Sequence, residues 1–268
     1  MVVFPNGKIN LGLNITAKRA DGYHDLETVF YPVKLRDALE VISADELTFT
    51  TSGLPVSGNP HDNLCMKAYH LLRTDYPSLP PIAVHLHKAI PMGAGLGGGS
   101  ADGAFMLTLL NKEFHLNLSQ EQLLAYALQL GSDCPFFIIN TPCFATGRGE
   151  VLTPVALDLS AYKIVLVNPG IHVSTAAAFS MLTPAVPAMP VHEIVQQPIE
   201  TWRRDLINDF EVSVFERHPE LKAIKGQLYN AGALYAAMSG SGSTLFGFFK
   251  AEGFVVPAFA GEYSVFVV

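Results

Sequence analysis

The sequence predicts a globular chain that mixes strands with helices and divides into two domains near residue 154. Three observations carry this expectation. The chain has 268 residues, enough for one large domain or two modest ones at roughly 150 residues each. Its hydrophobic pattern switches repeatedly between the two-residue period of a strand and the longer period of a helix. No repeat, low-complexity tract or charged tail interrupts it.

Residues 3–15 and 35–49 are rich in Val, Ile, Leu and Thr and predict strands. Residues 63–72 carry apolar side chains at helical spacing and stop before Pro77, which predicts a helix. Residues 82–90 alternate Ile82, Val84 and Leu86 with Ala83, His85 and His87, the pattern of a half-buried strand, and Pro91 ends it. A glycine-rich run follows, then a helical pattern over 102–111. Ser119-Gln120-Glu121-Gln122 has the form of a capping box and predicts a helix over 120–130, closed by Gly131. A turn at 147–150 leads into Val151-Leu152-Thr153-Pro154, which sets the expected domains at 1–154 and 155–268. The second opens with a strand over 163–167, crosses a Pro-rich connection over 183–198 and continues into one helix from 199 to about 215. A short β/α/β remainder ends the chain.

Composition narrows the function. Hydrophobic residues make up 49% of the chain and charged residues 15%, with a mean hydropathy of +0.29, so a membrane span has to be tested. The apolar runs at 134–139, 164–167 and 265–268 are far shorter than the roughly 20 residues a spanning helix needs. A net charge of −7 and a pI near 5.7 lack the basic footprint of nucleic-acid or anionic-membrane binders. Cys65, Cys134 and Cys143 form no C-x-x-C pair, and the N-terminal residues lack the pattern of a signal peptide, so a reducing cytoplasm is expected.

The chemistry concentrates in Pro91-Met92-Gly93-Ala94-Gly95-Leu96-Gly97-Gly98-Gly99-Ser100-Ala101. Five glycines between a strand and a helix let the backbone approach an anion, and the helix N-terminus then aims amides and a dipole at it. A phosphate is the expected occupant. Gly93, Gly95 and Gly98 do satisfy G-x-G-x-x-G, but Glu113 and Glu121 fall in helical positions instead of ending a second strand, so the dinucleotide fingerprint is incomplete. No Gly-Lys-Ser/Thr completes a P-loop, and no V-A-I-K or H-R-D set completes a protein kinase.

Two other segments can be read in two ways. Lys8 and Asn10 share one face of the first strand, either as a solvated edge or as a reactive pair. Asp133, in Gly131-Ser132-Asp133-Cys134-Pro135, is either an N-cap for a short helix with Pro135 in its first turn or a catalytic carboxylate. His85 and His87 share a strand face but lack a third ligand at metal-binding spacing.

The stretch from Pro91 to Ala101 resembles the second motif of the GHMP small-molecule kinases, and Ala237-Met238-Ser239-Gly240-Ser241-Gly242-Ser243-Thr244-Leu245-Phe246 resembles their third. Lys8-Ile9-Asn10-Leu11, Asp21-Gly22-Tyr23-His24, the Asp133 segment and Asn208-Asp209-Phe210-Glu211 narrow the resemblance to the branch that acts on a CDP-linked methylerythritol. The resemblance spans nearly the whole chain in order. It implies an α+β, two-domain GHMP-kinase architecture with the active site in a cleft between the domains, and ATP-dependent phosphorylation of the substrate's tertiary 2-hydroxyl in the non-mevalonate route to isoprenoid precursors. A GHMP kinase for mevalonate or a sugar, and a non-catalytic nucleotide-binding regulator, are the alternatives.

By the same resemblance, Lys8 and Asp133 flank the reacting hydroxyl, and Asn10 positions its neighbours. Tyr23 and Phe179 sandwich cytosine, His24 hydrogen-bonds to it, and Phe30 and Thr175 line that pocket, although an ordinary core role is the alternative for each aromatic. ATP falls to Asn63, to Lys88 (which otherwise faces water), to the run from Pro91 to Ala101 and to Ser239, Gly240, Ser241 and Gly242. Ala101 stands where many members of the family carry a second Ser. Apart from Asp133 and Glu150 no carboxylate stands out as a magnesium ligand, so Mg²⁺ is expected to arrive with ATP. The Asn208 segment has no assignable chemistry, and the oligomeric state is not encoded in any motif.

Overall fold

The computed structural model describes residues 1–268 other than 57, 260 and 261. The chain begins with β1 (Val2–Val3), β2 (Asn6–Lys18), β3 (His24–Arg36), β4 (Ala38–Ser43) and β5 (Thr48–Gly53). It continues through α1 (Leu64–Asp75), β6 (Ile82–Lys88), α2 (Gly98–Glu113), α3 (Gln120–Leu130), α4 (Cys134–Ile139), β7 (Cys143–Thr146) and β8 (Val151–Pro154). Then come β9 (Tyr162–Asn168), α5 (Thr175–Phe179), α6 (Val191–Ile194), α7 (Ile199–Asp205), α8 (Phe210–Arg217), α9 (Pro219–Asn230), β10 (Tyr235–Met238), β11 (Leu245–Lys250) and β12 (Ser264–Val267). The fold is α+β. Among the described residues no helix is long and apolar enough to cross a membrane.

Contacts gather the chain into two compact units that interleave along it, whereas a cut at 154 divides it by sequence order alone. The first holds residues 1–7, 34–92 and 97–141; the second holds 8–33, 93–96 and 142–268.

In the first unit, β1-β4-β6-β5 form one sheet, with β5 parallel to β6 and the other pairs antiparallel. Ile82, Val84 and Leu86 are buried and alternate with more exposed partners along β6, as the period-two pattern requires. Asn63 caps α1 by accepting from the Cys65 amide at 2.9 Å. α1 and α2 pack together, and α3 and α4 pack on α2. The capping box at Ser119 is formed in both directions, with Ser119 N donating to Gln122 Oε1 at 2.9 Å and Gln122 N to Ser119 Oγ at 3.3 Å.

In the second unit, β10-β11-β9-β12 form an antiparallel sheet against which α9 packs. Leu13, Ile15, Val165, Val167, Phe210 and Ile224 belong to its buried core. A third sheet has the order β2-β3-β7-β8.

Several elements differ from the sequence expectation for local reasons. The first long strand starts at Asn6, because Pro5 has no amide to donate and separates it from β1. Residues 35–49 resolve into the end of β3, all of β4 and the start of β5. The helix expected at 102 begins at Gly98, where the left-handed Gly97 (φ 69°) forms its N-cap. α6 interrupts the Pro-rich connection. The helix expected over 199–215 is two helices, because Leu206 turns extended and the chain pairs with Leu13. There, Leu13 N donates to Ile207 O at 2.8 Å and Asp209 N to Leu13 O at 2.9 Å. The remainder is α9 followed by three strands.

Candidate active site

The glycine run is shaped by what presses on it. Within the second unit, Gly95 has φ +80°, and a Cβ there would lie 2.0 Å from the backbone oxygen of Ser239. Three hydrogen bonds fix the same stretch: Ser239 Oγ to Gly95 O at 2.8 Å, Thr244 N to Ala94 O at 3.2 Å and Lys8 N to Leu96 O at 2.9 Å. Within the first unit, a Cβ at Gly98 would meet Ile90 Cγ2 at 2.8 Å, while Gly99 faces open space. At Gly99 the first turn of α2 thus presents its backbone with no side chain in the way, as an anion site requires.

The second glycine motif is braced from behind. Asn208 is buried, and its Nδ2 donates to Met238 O at 2.7 Å and to Gly240 O at 2.9 Å, while its Oδ1 accepts from the Phe210 amide at 3.0 Å. Glu211 Oε1 accepts from Met238 N at 2.8 Å, and Asp209 accepts from Asn14 and Ile15 of β2. The segment that had no assignable chemistry is therefore the mount of the Ser239–Gly242 turn. Ser241 meets Thr175, hydroxyl to hydroxyl, at 3.0 Å.

Lys8 is 4% exposed, which removes the solvated-edge reading. Its Nζ donates to Asn10 Oδ1 at 2.6 Å and lies 4.8 Å from the ring centre of Phe30. Asn10 in turn donates to Thr28 Oγ1 at 3.1 Å, and Thr28 donates to Gly12 O at 2.5 Å, a chain that fixes the Lys8 side chain in place. Asn10 thus spends its amide on Lys8 and Thr28, and Phe30 is both core and platform.

Asp133 belongs to the first unit and occupies the N-cap of α4, with Pro135 in the first turn as expected, but its side chain makes no capping bond there. Its neighbour Cys134 sits beside Ser100 of the glycine run, and burial pushes that thiol up to about 12. The Asp133 segment is thereby anchored at the start of α2.

A cavity of about 290 Å³ opens in the first unit between β5, the residues before α1, and α2. Phe49, Leu64 and Met92 supply apolar walls, and Asn63, Lys88 and Asp102 supply polar groups. Lys88 does not face water. It is 2% exposed and donates to Asp37 and, at 2.7 Å, to Asp102 Oδ2. Burial alone pulls an ammonium down, but the two carboxylates outweigh it and Lys88 stays above its ordinary value. Asp37 and Asp102 escaped the sequence reading, although one signal was present: continuing the Ile82-Val84-Leu86 alternation by one step puts Lys88 on the buried face, where it needs acids.

In the second unit, the ring stacked on Phe179 is His24, with centroids 5.0 Å apart and planes 22° from parallel. Tyr23 is 57% exposed, and the Arg148 guanidinium lies 5.0 Å from its ring centre. Glu150 closes the 147–150 turn by accepting from the Arg148 amide at 2.6 Å. His85 and His87 bond to Ser52, and His85 also to Thr50. Among the described residues no group of three or more His, Cys, Asp or Glu side chains could hold a metal ion.

Residues 63–141 match the family described as GHMP kinases N terminal domain, and residues 191–255 match GHMP kinases C terminal. The chain is 54% identical over 250 residues to a protein of Parabacteroides distasonis named 4-diphosphocytidyl-2-C-methyl-D-erythritol kinase, covering 93% of this chain and 92% of that one. A protein of the same name from Chlorobium limicola is 40% identical, with 90% and 86% covered. A crystal structure of 4-(cytidine 5'-diphospho)-2C-methyl-D-erythritol kinase superposes with a TM-score of 0.82 at 34% identity, covering 94% of this chain and 91% of that one. The mevalonate kinase of Methanococcus jannaschii shares the fold, with a TM-score of 0.73 at 12% identity over 100% of this chain and 97% of that one.

Proposed function

Because the chain belongs to the 4-diphosphocytidyl-2-C-methyl-D-erythritol kinases of the GHMP family, we propose the following reading of its chemistry. It transfers the γ-phosphoryl group of ATP to the 2-hydroxyl of 4-diphosphocytidyl-2-C-methyl-D-erythritol, a step of the non-mevalonate isoprenoid route. The observation that carries this is 54% identity over 93% of the chain, against 12% to mevalonate kinase.

We assign ATP phosphates to the amides of the run from Gly93 to Ala101 and its nucleoside to the cavity beside Asn63. Asp133 accepts the proton of the attacking hydroxyl, and the Lys8 ammonium offsets charge on the transferring group. Asn10 acts through Lys8, holding its Nζ at 2.6 Å and leaving the hydroxyl to Lys8 and Asp133. Positioning counts heavily here, because phosphoryl transfer passes through a loose transition state in which little covalent help is available. Mg²⁺ bound with ATP would be held by the nucleotide's own phosphates and would supply charge neutralisation there. Tyr23, His24, Phe179 and Thr175 form the cytosine side, with His24 and Phe179 parting to admit the base. Three buried cysteine thiols suit a reducing cytoplasm.

The test is substrate choice. With ATP, the enzyme is offered the CDP-linked methylerythritol, methylerythritol phosphate, mevalonate and galactose. Phosphorylation of the first alone is expected; preference for mevalonate or galactose would transfer the chain to another branch of the family, and ATP binding without any product would make it a regulator.

A further inference from the structure

The cavity beside Asn63 contains a buried charge imbalance: two carboxylates, Asp37 and Asp102, share one ammonium, Lys88. The two acids are not equivalent. Asp37 Oδ1 accepts from the amides of Ala89 at 2.6 Å and Ile90 at 2.9 Å, and Oδ2 accepts from Lys88, so each of its oxygens has a donor. Asp102 Oδ2 accepts from Lys88, but its Oδ1 is buried and has no hydrogen-bond partner, although the residue lines the cavity. A buried polar atom without a partner is rare and calls for a ligand or a proton. Here one atom answers to both.

We propose that Asp102 is a nucleotide-contacting residue held as the neutral acid, whose Oδ1–H donates a hydrogen bond to an acceptor atom of the ATP nucleoside. A neutral Asp102 leaves Asp37 and Lys88 as a balanced pair, which removes the cost of a second buried anion. The direction of its titration agrees: burial first, then the Asp37 charge and a side-chain hydrogen bond with Asp37, raise the Asp102 carboxyl to about 8 despite Lys88. Two further titratable groups stand near it. Cys65 on α1 is fully buried and its thiol is held well above its ordinary range by that burial, and Asp62 stands at the cavity lining before α1. Above pH 8 the donor is lost and an uncompensated anion appears beside the nucleotide. The proposal rests on the reading that ATP occupies this cavity.

ATP affinity measured by calorimetry across pH 6.5 to 9.5 tests it without requiring turnover. Wild type is expected to weaken by about tenfold per pH unit once pH passes 8, if ionised Asp102 cannot bind. Asp102→Asn can still accept from Lys88 and donate into the cavity, so it should match wild type within about threefold at neutral pH and lose the alkaline weakening. Asp102→Leu should weaken binding by about tenfold at every pH. Arms with 2'-deoxy-ATP and 7-deaza-ATP separate a ribose oxygen from a ring nitrogen as the acceptor. An Asn variant that binds tenfold worse at neutral pH, or keeps the alkaline weakening, overturns the proposal. Wild-type ATP binding with this pH profile but no product from the CDP-linked substrate would leave the proposal standing and overturn the substrate reading alone.

Discussion

Gly95 and Ser239 approach so closely that no side chain fits between them: a Cβ on Gly95 would stand 2.0 Å from the Ser239 carbonyl oxygen, and the Ser239 hydroxyl donates to the Gly95 carbonyl at 2.8 Å. The two glycine motifs are thus one backbone-to-backbone lock, with Gly95 at φ +80°. Gly95→Ala forces both an unfavourable conformation and a displacement of backbone, a combined cost of about 2–5 kcal/mol. We expect kcat/KM for ATP to fall by at least about a hundredfold, with a lowered melting temperature. Near-normal kinetics in this variant would mean that the lock is not needed for phosphate binding.

Asn208 offers a test of the mount as distinct from the loop. Its side chain serves two carbonyls and one amide while 1% exposed, and Asn208→Ala leaves all three without that partner. The expected loss is about 2–4 kcal/mol of stability, since each buried group left unpaired costs about 1–3 kcal/mol and water recovers part of it. Because Gly240 moves with the mount, the ATP KM should rise as well. Urea unfolding together with ATP kinetics checks both; a stable variant with an unchanged KM contradicts the bracing role.

The order of elements was legible wherever local chemistry decided it. The alternation of Ile82, Val84 and Leu86 and the Ser119 capping box carry their own signals and lie where expected, whereas the glycine run, also legible, gives its last two members, Gly98 and Gly99, to the first turn of α2. What depends on distant partners was not legible. Nothing near Asn208 announces that it reaches Met238 and Gly240, some thirty residues on, or that Leu13 pairs with the chain beside it and splits α7 from α8. Lys88 illustrates both limits. Its strand parity pointed inward, but its need for Asp37, 51 positions away, and for Asp102, 14 away, appears only once the sheet and helix are assembled.

Asp133 and Tyr23 should separate chemistry from binding. Asp133→Ala removes the proposed proton acceptor, so kcat should fall by about a hundredfold or more while ATP and substrate still bind. Tyr23→Ala removes an exposed ring backed by Arg148, and the KM for the CDP-linked substrate should rise most. Steady-state kinetics with both substrates decides. Turnover retained without Asp133 excludes it as the base, and an unmoved KM takes Tyr23 out of the cytosine pocket.

Stability should carry the mark of Asp102 even without nucleotide. In the unfolded chain this carboxyl ionises near 3.8, and in the fold only near 8. Below 3.8 both states hold the proton and pH has no effect through this group. Between the two values the folded protein keeps a proton that the unfolded chain has released, so stability falls as pH rises, by at most ~1.4 kcal/mol per unit. Above 8 both states are ionised and the slope vanishes. Asp102→Asn cannot ionise, so its urea midpoint should vary less with pH than that of wild type, and it should be the more stable of the two at pH 8. If the two proteins instead lose stability in parallel between pH 5 and 8, Asp102 is already ionised in the fold, and the slope has its origin in another group.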